Sequence, residues 1–315
     1  MKKKLVSIGL FILIFGSLLV IASLYDYQIS VLLAKKGLEG REYYSSNFFG
    51  QLIKILGEMP LYIFLSFAGA IFIGNVYRIN RKWLQILVVV LSLILGVVAG
   101  YIGCNKICKY SSQVNPTLEI FYKGKVMPVV WIIISMMVNT VFLYFISYKY
   151  KKLSVKLLPI ALIIVIAAAL GQGVVHALKP IFARERFRAS HYFEYHKIIS
   201  EGYNPWYVIK GSSSTLAKQY GVGKTYFSSF PSGHTACAGI VYCLMYIPFF
   251  VKSLDNKKYK WIFIVAPILI TGIVALGRIV VGAHYLSDVL VGGTLAYLAS
   301  VVAFLIVKKI IPLKE

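Results

Sequence analysis

His284-Tyr-Leu-Ser-Asp288, followed without a further charge by VLVGGTLAYLASVVAFLIV to Val307, is the stretch that decides the fold. As a helix rising 1.5 Å per residue, it would run about 36 Å, enough to cross roughly 30 Å of hydrocarbon. Asp288 is the one acidic residue in any apolar stretch read as a span, and a carboxylate there is costly unless partnered. The same residues therefore announce a membrane helix and a polar site at its edge.

Seven more stretches of similar length lie near 5–25, 59–77, 84–104, 127–148, 157–178, 233–251 and 261–277. With 59% hydrophobic residues and a mean hydropathy of +0.76, the chain reads as an all-α polytopic membrane bundle of about eight helices. We read 1–315 as a single membrane domain. Residues 1–156 hold four spans plus an interfacial segment, and 157–307 form the core that carries the polar clusters. The first span follows Lys2-Lys3-Lys4, as the apolar stretch of a signal peptide would, but its length and the lack of a clear A-x-A site make it read as a retained anchor.

The net charge of +23 does not point to nucleic acid, since the cations sit in short loops between spans. Half of the 34 Lys+Arg fall in the N-terminus, 78–83, 149–156, 252–260 and 308–315, which are short and alternate with long, sparsely charged segments. The positive-inside rule puts the dense set, and both termini, in the cytoplasm. Segments 26–58, 105–126, 179–232 and 278–283 then face outward. Segment 26–58 reads as an amphipathic helix lying in the interface. In 179–232, Tyr192, Phe193, Tyr195, Trp206 and Tyr207 are expected at headgroup level. Cys104 and Cys108 are open to a disulfide or a free helical pair, whereas Cys237 and Cys243 read as small buried hydrophobes. No cluster has zinc-ligand spacing, and no metal or cofactor is expected.

Three clusters carry chemistry, each at the outward end of a span. His284 is four residues before Asp288, so both lie on one helical face and the carboxylate can orient the ring. Arg278 precedes His284 by six residues. Pro231-Ser232-Gly233-His234 opens the sixth span, with Ser232 as its N-cap and Gly233 allowing a bound group near the backbone. A helix start of this kind suits an anion, and His234 sits in its first turn. Lys179 to Arg188 closes the fifth span, where Pro180 is expected to stop or kink the helix. Arg184 and Arg188 read as cations snorkelling to headgroups, and His176 as a core residue or a pocket neighbour. Fixed cations, two histidines and one carboxylate suit the holding and cleavage of a phosphate ester.

Together these clusters resemble the type-2 phosphatidate phosphatase superfamily, which shares its phosphate site with vanadium haloperoxidases. The family pattern runs K-x6-R-P, P-S-G-H and S-R-x5-H-x3-D. Lys179 and Arg186 match the first element, Pro231 to His234 the second, and Arg278, His284 and Asp288 the third. Phe187 replaces the first element's proline and Gly277 the third element's serine. The resemblance covers 157–307 and implies six spans, two fewer than are read here.

It implies that His284, oriented by Asp288, attacks phosphorus and that His234 protonates the leaving oxygen. It also implies that Lys179, Arg186, Ser232, Gly233 and Arg278 hold the phosphate, without a metal. The expected partner is an amphiphilic lipid phosphate entering from the membrane. Polyprenyl diphosphate ranks first, because Arg184 and Arg188 add cations, ahead of phosphatidylglycerophosphate and phosphatidic acid. A phosphotransferase using the same site is the enzymatic alternative and a lipid transporter the non-enzymatic one; haloperoxidase chemistry is disfavoured.

Overall fold

A computed structural model describes residues 2–34, 48–124, 126–200 and 202–311. Among these, eight helices are long and apolar enough to cross a membrane, in agreement with the eight stretches read from sequence. The first four are α1 (Lys2–Ala34), α2 (Phe48–Gly74), α3 (Lys82–Ser112) and α4 (Met127–Tyr144), the last extended by a π-helical turn. Then come α5 (Lys151–Phe182) and two shorter helices, α6 (Phe187–Tyr195) and α7 (Ser213–Gln219). Helix α8 (Gly233–Ala238) continues through 3-10 turns at Gly239–Tyr246 into Ile247–Phe250, and α9 (Lys257–Val280) and α10 (Leu286–Ile310) complete the bundle.

Helices are the economical solution for these stretches, because lipid offers no partner for a free backbone N–H or C=O. Lipid also gives little hydrophobic drive between helices, so contacts rest on small residues and polar glue. Gly96 shows both: its carbonyl accepts from Ser66 of α2 at 3.2 Å and from Asn139 of α4 at 3.1 Å. The main apolar core joins Leu61 and Ile71 of α2, Ile163 and Ile164 of α5, Val241 after α8, and Val307 of α10.

The expected interfacial segment over 26–58 is not what forms. Residues 26–34 lengthen α1 and 48–58 lengthen α2, while 35–47 lie outside the described residues. The polar side chains that end the hydropathy windows, Asp26, Lys54 and Glu58, are buried in the bundle. They find partners there, so they interrupt the apolar pattern without interrupting the helix. Nor does Pro180 stop α5, which runs on to Phe182. It ends where Ala183 takes a left-handed conformation (φ 44°) and its N–H closes onto the Lys179 carbonyl.

The polar stretch after α5 folds into a small lobe with its own apolar centre. Phe193 and Ala189 of α6 pack against Ala217 of α7 and Phe227. Phe193 is completely buried, so an aromatic expected at headgroup level is core instead. Trp206 stacks on Phe230 and donates its indole N–H to Ser23 of α1 at 2.9 Å, tying the lobe to the first helix; Tyr207 is exposed. All four cysteines are free thiols, with Cys237 and Cys243 buried.

Candidate active site

Alternating helix directions bring the ends of α1, α3, α5 and α9 beside the starts of α2, α8 and α10. Contacts between Asp26 and Ser287, Glu58 and Lys106, and Ile53 and Gly277 fix that arrangement. All eight residues expected at the site lie at this end.

Asp288 sits in the first turn of α10, completely buried, with each oxygen engaged. Oδ1 pairs with Arg184 Nη1 at 2.6 Å. Oδ2 accepts from the Tyr285 N–H at 2.9 Å and from the Ser229 hydroxyl. His284 Nδ1 stands 3.4 Å from the same Oδ2, a contact too poorly aligned to count as a hydrogen bond. Catalytic contacts of this kind often tighten only when the reacting group is bound. The His284 ring occupies the turn between α9 and α10, outside the spans, and burial holds its pKa well below the ordinary imidazole range. Asp288 opposes that shift and the Arg186 and Arg278 charges reinforce it, so the surroundings favour the neutral ring.

Ser232 caps α8, its hydroxyl facing the Thr235 hydroxyl at 2.9 Å, and its N–H donates to the Asp288 carbonyl at 2.9 Å. That last bond needs α10 very close. A β-carbon on Gly292 would lie 2.5 Å from the Ser232 carbonyl oxygen, which is why only glycine fits there. On the other side of α8's start, a β-carbon on Gly233 would meet Lys179 Cε at 3.4 Å. Lys179 donates to the Ser228 carbonyl at 2.9 Å, and Arg186 Nη2 reaches the same oxygen at 3.4 Å. Lys179, Arg186 and Arg278 all lie within electrostatic reach of both His234 and each other's neighbourhood, as does His284 of His234. The three sequence-distant clusters thus converge.

The most telling feature is a set of buried polar atoms without a hydrogen-bond partner among the described residues: the donors Arg186 Nε and Arg278 Nε and Nη1, and beside them the ring nitrogen His284 Nε2. Arg278 is 1% exposed. Burying a guanidinium with open donors is expensive, and an anion in this place would offset that cost.

Three expectations need correction. Arg184 does not snorkel: at 1% exposure it is clamped by Asp288, by Asp26 Oδ2 at 2.8 Å and by the Asn204 carbonyl at 2.8 Å. With its donors so engaged, it is not an extra phosphate cation. His176 is exposed on α5, neither core nor pocket. Asp288 is also not alone in the bundle, since Asp26 of α1 and Glu58 of α2 are both buried nearby.

Sequence reasoning missed what those two helices do. Asp26 accepts from the Ser287 N–H at 2.9 Å and from the Ser287 hydroxyl, so α1 braces the turn that carries His284 and Asp288. Glu58 Oε1 lies 3.3 Å from His234 Nε2. The two departures from the resembled pattern fall where these helices dock. Phe187 is fully buried, with Tyr27 of α1 edge-on at 5.8 Å and Tyr285 at 6.1 Å. At Gly277, a β-carbon would lie 2.6 Å from Ile53 of α2.

A sequence profile of the PAP2 superfamily matches residues 160–312. The phosphatidylglycerophosphatase B of Haemophilus influenzae is 38% identical over 82 residues, which is 26% of this chain and 33% of that protein. The chain therefore aligns with about a third of the length of that curated relative. No solved structure matches the chain. Helices α1 to α4 lie outside the matched region, and the core they embrace, residues 160–312, is the part of the chain that matches the PAP2 superfamily.

Proposed function

We propose that the chain is a membrane lipid phosphatase that works through a phosphohistidine on His284, with no metal in the mechanism. The observation that carries this reading is the pair of buried guanidinium groups with unpartnered donors, Arg186 and Arg278, beside the unpartnered Nε2 of His284. Lys179, Arg186 and Arg278 hold the non-bridging oxygens, with the Gly233 N–H at the start of α8. Ser232 contributes mainly by capping, since its hydroxyl and N–H are both engaged. Phosphoryl transfer depends on positioning and charge neutralisation, which fixed guanidinium and ammonium groups supply.

His284 is neutral, and its Nδ1 faces Asp288, so Nε2 presents its lone pair to phosphorus. Attack forms the N–P bond as the ester P–O bond breaks, and the departing oxygen takes a proton from His234. Water then attacks the phosphohistidine, giving its proton to His234, and the N–P electron pair returns to His284.

The substrate is an amphiphile with a terminal phosphate. Arg184 is spent on Asp26 and Asp288, which removes one of the two cations that favoured a diphosphate. Similarity to a phosphatidylglycerophosphatase favours a glycerophospholipid phosphate monoester, with polyprenyl diphosphate the second candidate. By the positive-inside reading the site faces away from the cytoplasm. Phosphate release from phosphatidylglycerophosphate, phosphatidic acid and a polyprenyl diphosphate should be compared in one detergent assay, with His284→Ala as the control. Release from at least one lipid, surviving chelation and reduced by about 10²-fold or more in His284→Ala, is expected. Near-wild-type turnover by the variant would rule the assignment out.

A further inference from the structure

Asp288 serves one catalytic histidine; the other has a carboxylate of its own, from a helix outside the matched family region. We propose that Glu58 of α2 is the positioning residue for His234, holding it in the orientation and charge state from which it gives a proton to the leaving oxygen. This inference rests on the phosphatase reading above.

Three observations carry it. Glu58 Oε1 faces His234 Nε2 at 3.3 Å, a close approach that, like that of Asp288 to His284, is not aligned as a hydrogen bond here, and both residues are largely shielded from solvent. The approach is built for that contact. A β-carbon on Gly57 would lie 2.9 Å from His234 Cβ and 3.2 Å from Cδ2, so the α2 backbone lies directly against the Cδ2–Nε2 edge of the ring. The Nδ1 edge then points away from α2, which makes Nδ1 the nitrogen that meets substrate.

Glu58 is itself held in place from α3. Tyr110 donates to Oε1 at 2.9 Å, and Lys106 pairs with Oε2 at 3.1 Å. The Tyr110 ring also lies 6.4 Å from the His234 ring, centroid to centroid. A carboxylate held by two donors and aimed at a histidine is how proteins fix an imidazole's tautomer and favour its charged form.

The need for such a group follows from the neighbours. His234 is approached by Lys179 and Arg186 from the α5 side, by Arg278 from α9 and by His284 from the turn before α10. Every one of those that is charged is a cation, and cations disfavour an imidazolium. Lys106 adds another cation from α3, and the other titratable neighbours of Glu58, Tyr62 and Cys237, bring no second carboxylate. Glu58 is thus the carboxylate that meets the ring, and a general acid must be protonated before it can act. In the first step His234 loses a proton to the leaving oxygen as the P–O bond breaks, and in the second it regains one from the attacking water. Glu58 keeps its own proton balance unchanged throughout.

The test compares wild type, Glu58→Gln, Glu58→Asp and Tyr110→Phe on two phosphate esters. One is a lipid phosphate, whose alkoxide must be protonated to leave. The other is p-nitrophenyl phosphate, whose phenolate leaves without help. Glu58→Gln should lower kcat on the lipid about 10- to 100-fold with KM little changed, and much less on the aryl ester. The alkaline limb of its kcat profile should move to lower pH by about one unit or more. Glu58→Asp should recover part of both effects.

Tyr110→Phe removes a donor from Glu58 and so should move the limb the opposite way, which keeps the test decisive even if Glu58→Gln fails to fold. Equal losses on both esters with unmoved pH limbs would overturn the inference while leaving the phosphatase reading intact. A wild-type protein that releases phosphate from neither ester would overturn both.

Discussion

Arg184 is the residue that ties this end of the bundle together. It joins Asp288, which lies beside His284, to Asp26, which braces Ser287. Burying two carboxylates around one guanidinium is tolerable because Asp288 Oδ1 accepts from Arg184 and the other three oxygens accept from a hydroxyl or a backbone N–H. Asp26→Asn should therefore cost about 1.5–3 kcal/mol, read as a lower midpoint of thermal unfolding in detergent. It should also lower phosphate release, because Arg184 and the 284–288 turn would relax together. A variant as stable and as active as wild type would show that the network is idle.

The pH behaviour is set at this scale too. In the proposed mechanism His284 acts as its neutral form, and burial among cations favours that form at pH values where a free imidazole, with pKa about 6.5, is charged. The sign follows: a lowered pKa extends activity toward acid. The acid limb of kcat/KM should fall below about pH 6.5, and a limb above that value would contradict the assignment.

At the level of elements, α1 and α2 fit where the pattern of the family core is altered. Ile53 fills the space that a side chain at position 277 would need, and Phe187 packs against Tyr27. Restoring the family serine by Gly277→Ser should destabilise the protein by about 1–3 kcal/mol through overpacking. Adding Ile53→Ala should recover most of that loss, because the three atoms nearest the added β-carbon all belong to Ile53. Additive losses in the double mutant would show that α2 does not dictate glycine at 277.

How much could be read from sequence is clearest at these same helices. The eight spans and the convergence of Lys179, Arg186, His234, Arg278, His284 and Asp288 were legible, because apolar length and fixed local spacing are one-dimensional signals. Asp26 and Glu58 were not. The sequence boundaries at 25 and 59 stop one residue short of each, because a charge ends a hydropathy window whether it meets water or a buried partner. Arg184 misled for the same reason: nothing local distinguishes a snorkelling arginine from one clamped by carboxylates far along the chain. Phe193 shows the limit for aromatics, whose core or interfacial role depends on what folds over them.

Across the whole molecule, one end of the bundle holds every group assigned to chemistry, and the opposite end carries the dense basic loops 78–83, 149–156 and 252–260. Lys106 of α3, Lys179 of α5, Ser232 of α8 and Arg278 of α9 agree on that end from four helices of alternating direction. With the basic loops in the cytoplasm, sealed vesicles of cytoplasm-inside orientation should hydrolyse externally added lipid phosphate without detergent. Activity confined to inverted vesicles would place the site on the other leaflet.

The central claim is that His284 becomes covalently phosphorylated. The most direct measurement is rapid quenching of the enzyme during turnover of a lipid phosphate, followed by mapping of the modified residue by mass spectrometry. Phosphate should appear on His284, in an acid-labile and alkali-stable form, and should build up when His234→Ala slows the second step. Phosphate on another side chain, or an active His284→Ala protein, would contradict the account.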